Sequence, residues 1–275
     1  MVLSDMLSVI VPIYNEEATV NTVINRLLAR PEVSEIILID DGSTDTSSKI
    51  ITNFLENKKI KFYQFTYNRG KGAALRKGFE LATAPIVIVQ DADLEYSPED
   101  FPKMLEPIIN NNADVVYGSR FLGGGGRVLY YRHQLGNKII TFLSNLFTDL
   151  NFTDVETCYK AFKREVIQNL ILKSDRFGIE IELTAKIAKA KFLKVYEVPI
   201  SYHGRTYLEG KKITWRDGCA ALWHIFKFNL FSNNKKNIVK PWGEIQNTVG
   251  FNCREFGAAK PQPNILHKDT EKRSK

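Results

Sequence analysis

Between Met6 and Ser119 the chain repeats one pattern: a short, almost unbroken apolar run followed by a longer segment with apolar residues at helical spacing. The runs are Met6–Ile13, Glu35–Asp40, Lys61–Phe65, Pro85–Gln90 and Asp114–Ser119. Between them Val20, Val23, Ile24, Leu27 and Leu28, then Ile50, Ile51, Phe54 and Leu55, then Leu75, Phe79 and Ala82 recur with a helical period. Pro31 closes the first helix. Ser97-Pro98-Glu99-Asp100 opens another, with Ser97 as N-cap and Pro98 at the first helical position. Strands without polar alternation are buried on both faces. The pattern therefore predicts an α/β fold with a mostly parallel central sheet and helices on both sides. Further on, it predicts a helix over Tyr131–Thr148, a strand over Cys158–Arg164, a helix over Glu180–Ala190 and a strand over Phe192–Tyr202. Pro199 marks that last strand as an edge strand or a strand end.

A core of this size, in 275 residues that are 44% hydrophobic, needs no disulfide staples. Cys158, Cys219 and Cys253 are odd in number and far apart, so they read as reduced thiols of a cytosolic protein. His133, His203, His224 and His267 show no paired spacing, which argues against zinc. The N-terminus lacks a signal-peptide pattern. No stretch approaches the roughly 20 apolar residues of a membrane-spanning helix. The net charge of +7 suits phosphorylated substrates, anionic lipid or nucleic acid, without choosing among them. From residue 233 the chain turns polar and basic and loses its periodicity, which predicts a folded region over 1–232 and a disordered tail over 233–275. The aromatic-rich stretch 215–231 reads either as an interfacial helix or as a helix packed on the core.

The chemistry concentrates at strand exits. Asp91-Ala92-Asp93 directly follows the Pro85–Gln90 run, and in an open α/β sheet ligands bind beyond the carboxyl ends of the strands. Two acids one residue apart on an extended backbone face the same way and repel unless a cation lies between them. A hard divalent ion bearing a phosphate substrate answers that need; capping of the next helix is the plainer alternative. Four more segments share this position. Pro12-Ile13-Tyr14-Asn15-Glu16-Glu17 offers an aromatic ring and carboxylates for a nucleoside, or merely acids at a helix start. Asp40-Asp41-Gly42-Ser43 combines a tight turn with an acid able to bond a base or ribose. Asn68-Arg69-Gly70-Lys71-Gly72 is either a phosphate-binding helix start or a solvated turn. Gly118-Ser119-Arg120 brings a guanidinium for a diphosphate or a sugar hydroxyl.

In this order and spacing the motifs resemble the family 2 glycosyltransferases of the GT-A fold, and within them the dolichol-phosphate mannose synthase branch of polyprenyl-phosphate glycosyltransferases, over residues 6–215. The resemblance implies a GT-A catalytic domain, a nucleotide-sugar donor of the GDP-mannose or UDP-glucose type, Mn2+ or Mg2+, and inversion at the anomeric carbon. Carried over, Pro12, Tyr14, Glu16, Ile39 and Asp41 line the nucleoside pocket, and Asp91, Ala92 and Asp93 meet the diphosphate and sugar, with Lys71 and Arg120 as further donor contacts. Asp93 ligates the metal together with Glu95, a position often held by Gln in the synthases. Ser201-Tyr202-His203-Gly204-Arg205 and Lys211 also fit the branch, with Arg205 and Lys211 closing over the diphosphate from a mobile loop over Tyr207–Lys212.

The implied reaction is attack by a lipid phosphate oxygen on the sugar C1. Such a nucleophile is already ionised and needs no general base. A hydroxyl acceptor would need one, and Glu180 or Glu182 are the candidates. Arg127, Arg132 and His133 flank the glycine run Gly123–Gly126 and are the candidate acceptor-phosphate ligands, with Val128, Leu129, Tyr130 and Tyr131 beside a prenyl chain and a membrane surface. The expected partners are a nucleotide sugar, a polyprenyl phosphate, the cytoplasmic face of a membrane met peripherally, and a recruiting membrane protein. Nucleic acid is not expected, because the acids at the strand exits repel a polyanion. Transfer to a soluble saccharide, and a basic module binding nucleic acid or membrane, are the competing readings.

Overall fold

A computed structural model of the protein describes residues 5–123, 130–205, 215–232 and 238–242. Strands β1 (Leu7–Ile13), β2 (Val33–Asp40), β3 (Ile60–Gln64), β4 (Ile86–Val89), β5 (Val115–Ser119), β6 (Lys160–Lys163) and β7 (Val195–Pro199) form one seven-stranded sheet in the order β3-β2-β1-β4-β6-β5-β7. All pairings are parallel except those of β6, which runs antiparallel to β4 and to β5. β7 is an edge strand, where Pro199 pairs with Ser119.

The apolar runs are continuous because both sheet faces are covered. On β1 and β2, Val9, Val11, Ile36 and Leu38 pack with α1 (Val20–Leu28) and α4 (Phe101–Ile109). Ile10, Ile37 and Ile39 pack on the other face with α3 (Lys71–Leu81) and α7 (Ile179–Lys189). Each such fully buried aliphatic side chain contributes about 1.5–3 kcal/mol relative to exposure. Two short helices, α2 (Ser47–Thr52) and α6 (Arg164–Asn169), and two long ones, α5 (Tyr131–Thr148) and α8 (Trp215–Leu230), complete the fold.

Three details differ from the sequence reading. The Ser97 hydroxyl accepts no capping hydrogen bond from the helix start; a single 3-10 turn over Pro98–Asp100 leads into α4, and the Asp100 carboxylate accepts the Ser201 amide at 2.7 Å. In α8, Ala221, Ile225 and Phe228 are buried whereas Trp223, Phe226 and Leu230 are exposed, as is Phe231 just after it, so the stretch has a core-packed face and an outward apolar face. The polar tail is anchored at 238–242: Ile238 bridges Leu170, Asn169 Nδ2 donates to the Lys240 carbonyl at 3.0 Å, and Trp242 packs edge-on against Phe192. Two apolar residues in a polar stretch found partners that periodicity could not reveal. Among the described residues, no helix is long and apolar enough to cross a membrane.

Candidate active site

The strand order reverses between β1 and β4, because the chain goes outward from β1 to β3 and returns on the other side. That reversal opens a crevice at the carboxyl ends of β1, β2 and β4. Tyr14–Glu17, Asp40–Asp45 and Gln90–Glu95 therefore meet at one rim. The first two loops are stitched together: the Asn15 amide donates to Ser43 Oγ at 3.0 Å, the Glu16 amide to Ser47 Oγ at 2.9 Å, and the Thr44 amide to Asn15 Oδ1 at 2.8 Å. Asn15 accepts a left-handed φ of 51° to do this.

Arg205 lies inside an acidic cluster at this rim. Its guanidinium is 2.8 Å from Asp93, 3.3 Å from Glu16 and 3.5 Å from Glu95. The crossing segment that delivers it is fixed by a bridge between Tyr96 and Tyr202, by the His203 amide on the Glu95 carbonyl at 2.8 Å, and by Tyr202 Oη donating to Glu95 at 2.9 Å. Thr19 tightens the cluster from α1's start, donating to the Ala92 carbonyl at 2.6 Å with Glu16 Oε2 at 3.1 Å. Leu94, between Asp93 and Glu95, is held at φ 63°, a strained conformation for a bulky residue that places the two acids on one turn. Burial, then the neighbouring Asp91 and Glu95 charges, push the Asp93 carboxyl up to about 7, with Arg205 pulling the other way. The pocket carries more negative charge than Arg205 balances.

Below the rim lies a buried ionic floor. Lys71 Nζ is 2.7 Å from Asp91, donates to Cys158 Sγ at 2.9 Å and stands 4.0 Å from Glu180. Burial opposes ionisation of Asp91, but Lys71 outweighs it and holds the carboxyl low. Glu180 pairs with Lys160. Tyr96 stacks on Tyr159 at 5.1 Å, and Tyr159 Oη donates to Gln90 at 2.8 Å, which supports the Asp91–Asp93 turn from beneath.

Several expected roles change. Asp91 and Asp93 do not converge on one ion: Asp91 turns down to Lys71, and Asp93 and Glu95 form the outward pair. The Gly70–Gly72 turn is no phosphate cradle. A Cβ at Gly72 would stand 2.2 Å from the Ser174 carbonyl oxygen, and the Ala73 amide already donates to Asp175, so another segment covers this helix start. Both Asp41 oxygens accept backbone amides, from Arg69 and Gly70, each at 2.7 Å. The Ile39 side chain is fully buried in the core, so only its main chain is left to face a nucleoside. Arg120 is held bidentate by Asp154 at 2.6 and 2.7 Å and lies over the Tyr202 ring, its charge already balanced. Glu180 sits buried between two lysines, and Glu182, which also does not face solvent, accepts the Lys173 and Ser174 amides and pairs with Lys186. Neither is placed as a free base. Tyr14 stands at the rim, partly exposed, beside part-buried Pro12. Arg132 and His133 occupy the first turn of α5. Arg127 and Lys211 lie outside the described residues, as does the Tyr207–Lys212 loop. Thr19 and Glu156 were not singled out by the sequence, and Cys158 was read only as a reduced thiol; each takes its place only through the fold, and no local motif marks it.

The family model for glycosyl transferase family 2 matches residues 8–171. A dolichol-phosphate mannosyltransferase of Pyrococcus furiosus is 28% identical over 85% of this chain, which spans 66% of that relative's length. A UDP-N-acetylglucosamine–dolichyl-phosphate N-acetylglucosaminyltransferase of Methanococcus voltae is 30% identical over 71% of this chain and 84% of its own. Glucosyl-3-phosphoglycerate synthase from Mycobacterium tuberculosis, solved with Mn2+, uridine diphosphate and phosphoglyceric acid, superposes with a TM-score of 0.64 over 82% of this chain and 79% of its own, at 19% identity, which establishes the shared GT-A fold. With the motifs seated at the switch point of that fold, the chain belongs to the family 2 glycosyltransferases, on the branch of the polyprenyl-phosphate glycosyltransferases.

Proposed function

We propose that the protein moves a hexose from a nucleotide-diphosphate sugar to a polyprenyl phosphate, with inversion and with help from Mn2+ or Mg2+. The observation that carries this reading is the outward pair Asp93 and Glu95 with Arg205 between them. A leaving diphosphate needs positive charge, and this cluster supplies one guanidinium together with surplus carboxylates able to hold a divalent cation. Among the described residues no three His, Cys, Asp or Glu side chains form a metal cage. Asp93 and Glu95 instead supply hard oxygens of the kind that hold Mg2+ or Mn2+ together with substrate phosphates. The surplus negative charge at Asp93 fits such an ion. Bound there, the metal would neutralise charge on the diphosphate. Arg205 adds a guanidinium on the same side, and the Lys71–Asp91 pair fixes the floor beneath the sugar.

Charge supports this acceptor class. Glu180 and Glu182 are both committed to lysines, which favours an acceptor that arrives ionised. The named relatives transfer sugars to dolichyl phosphates. The outer surface suits a lipid-borne acceptor. On α5, Tyr131, Leu135, Ile139, Phe142 and Leu146 recur at helical spacing and are exposed. Trp223 and Leu230 on α8, with Phe231 just beyond it, extend that apolar face, and Phe147 meets Phe226 edge-on at 5.3 Å to join the helices. With Arg132, Lys138 and Lys227 nearby, this face is suited to lie on an anionic bilayer at the cytoplasmic side. Partition of the sugar product tests the proposal. Labelled sugar recovered with the organic phase supports a lipid phosphate acceptor; labelled sugar joined only to a water-soluble acceptor overturns it.

A further inference from the structure

Glu156 lies between two arms of the site and is used by none of the roles above. It follows Asp154, which holds Arg120 over the Tyr202 ring, and Tyr202 in turn donates to Glu95. It precedes Cys158, whose sulfur rests on Lys71, the partner of Asp91. The residue as a whole is part-buried. Yet its Oε1 is shut off from solvent and has no hydrogen-bond partner among the described residues. A buried acceptor left unpaired is costly, and such a group in a native fold calls for a functional or solvent partner.

The charges around it select that donor. Glu156 faces Glu180 from α7, Lys160 from β6, Arg120 beyond β5 and Asp154 from its own loop. Burial first, then the Glu180 charge, push its carboxyl up to about 7, against the pull of Lys160 and Arg120. A further anion here would meet three carboxylates whose cations are already engaged. A sugar hydroxyl donates a hydrogen bond and adds no charge.

We propose that Glu156 is a sugar-specificity residue: its carboxylate accepts a hydroxyl hydrogen of the hexose carried by the donor. The proposal rests on the nucleotide-sugar reading above. A hydroxyl bound in this way favours the ionised carboxylate, so binding expels the proton that a carboxyl titrating near neutrality carries. Affinity for the sugar therefore falls as pH drops below the Glu156 range.

Titration calorimetry with Mn2+ present tests this, using UDP-glucose, UDP-N-acetylglucosamine and GDP-mannose beside plain UDP and GDP. Wild type is compared with Glu156→Gln, which preserves shape, and Glu156→Ala. The nucleotide sugar that wild type binds best is expected to bind about tenfold more weakly, or worse, to both variants, the loss of one charge-assisted hydrogen bond. The parent nucleoside diphosphate is expected to bind all three proteins alike, which also shows that the variants fold. The fall in sugar affinity below a pH of about 7 is expected in wild type and absent from Glu156→Gln. Equal weakening of sugar and parent nucleotide would overturn the sugar contact. So would unchanged donor affinity with lost transfer, which would move Glu156 to the acceptor. Failure of wild type to bind any nucleotide or nucleotide sugar would remove the donor reading itself, and this inference with it.

Discussion

The guanidinium of Arg205 reaches Asp93 at 2.8 Å from a segment that crosses the rim after β7. The same group answers Glu16 and Glu95, so one side chain holds together acids from the β1 loop and the β4 loop. This predicts that Arg205→Ala leaves three carboxylates facing one another. Donor affinity is expected to fall about tenfold to a hundredfold, as for loss of a charge-assisted contact. Arg205→Lys is expected to recover only part, since an ammonium cannot fork between two carboxylates. Isothermal titration with a nucleoside diphosphate and Mn2+ measures both.

Leu94 stores backbone strain at φ 63° between the two outward acids. Leu94→Gly removes the steric penalty of a left-handed Leu, of order 1 kcal/mol, but also frees the turn. Thermal stability is expected to change little, while transfer falls because Asp93 and Glu95 lose their fixed relation. A lowered melting temperature with full activity would contradict the functional reading of this strain.

Far from the site, Glu35 ties β2 to the start of β4. It pairs with Lys61 at 2.5 Å, accepts the Thr83 amide at 2.6 Å and is hydrogen-bonded by Ser8. Burial works against its ionisation, but Lys61, Ser8 and Thr83 outweigh it and hold the carboxyl at about 2. Its folded value lies below its unfolded one, so its stabilising effect is complete above pH 4.5 and is lost as pH falls from there towards about 2. Glu35→Gln is expected to destabilise by about 1–3 kcal/mol at neutral pH, with the deficit shrinking in acid. Urea melts of both proteins between neutrality and pH 3 check the sign, with pH 3 inside that window.

If the joined α5 and α8 face lies on lipid, Phe142→Glu with Trp223→Glu is expected to weaken binding to phosphatidylserine vesicles at least tenfold, since a buried apolar contact is exchanged for a repelled charge. Both side chains are exposed, so the melting temperature should hold. Vesicle sedimentation reads the first and calorimetry the second.

Strand exits were legible because apolar runs end abruptly and polar residues begin. The mostly parallel sheet and the α5 span follow from period, Pro199 pointed to an edge position or a strand end, and the clustering of Tyr14–Glu17, Asp40–Asp45 and Asp91–Glu95 follows from their place at strand exits. Pairing within the site was not legible. Nothing local says that Lys71 takes Asp91 away from Asp93, that Asp154 claims Arg120, or that Gly70 and Gly72 are small because Ser174 and Asp175 lie against them. Each depends on chain segments far apart in sequence meeting across the sheet. Glu156 carried no signal at all; its importance lies in an oxygen that the fold leaves unpaired.

The most direct test of the central claim is a transfer assay with radiolabelled UDP- and GDP-sugars, a short polyprenyl phosphate and Mn2+, followed by counting of the organic phase. The account predicts organic-phase label that requires the metal and is lost in Asp93→Asn, a variant that keeps shape and removes charge. Label that persists in Asp93→Asn, or that reaches the organic phase equally without metal, would contradict it.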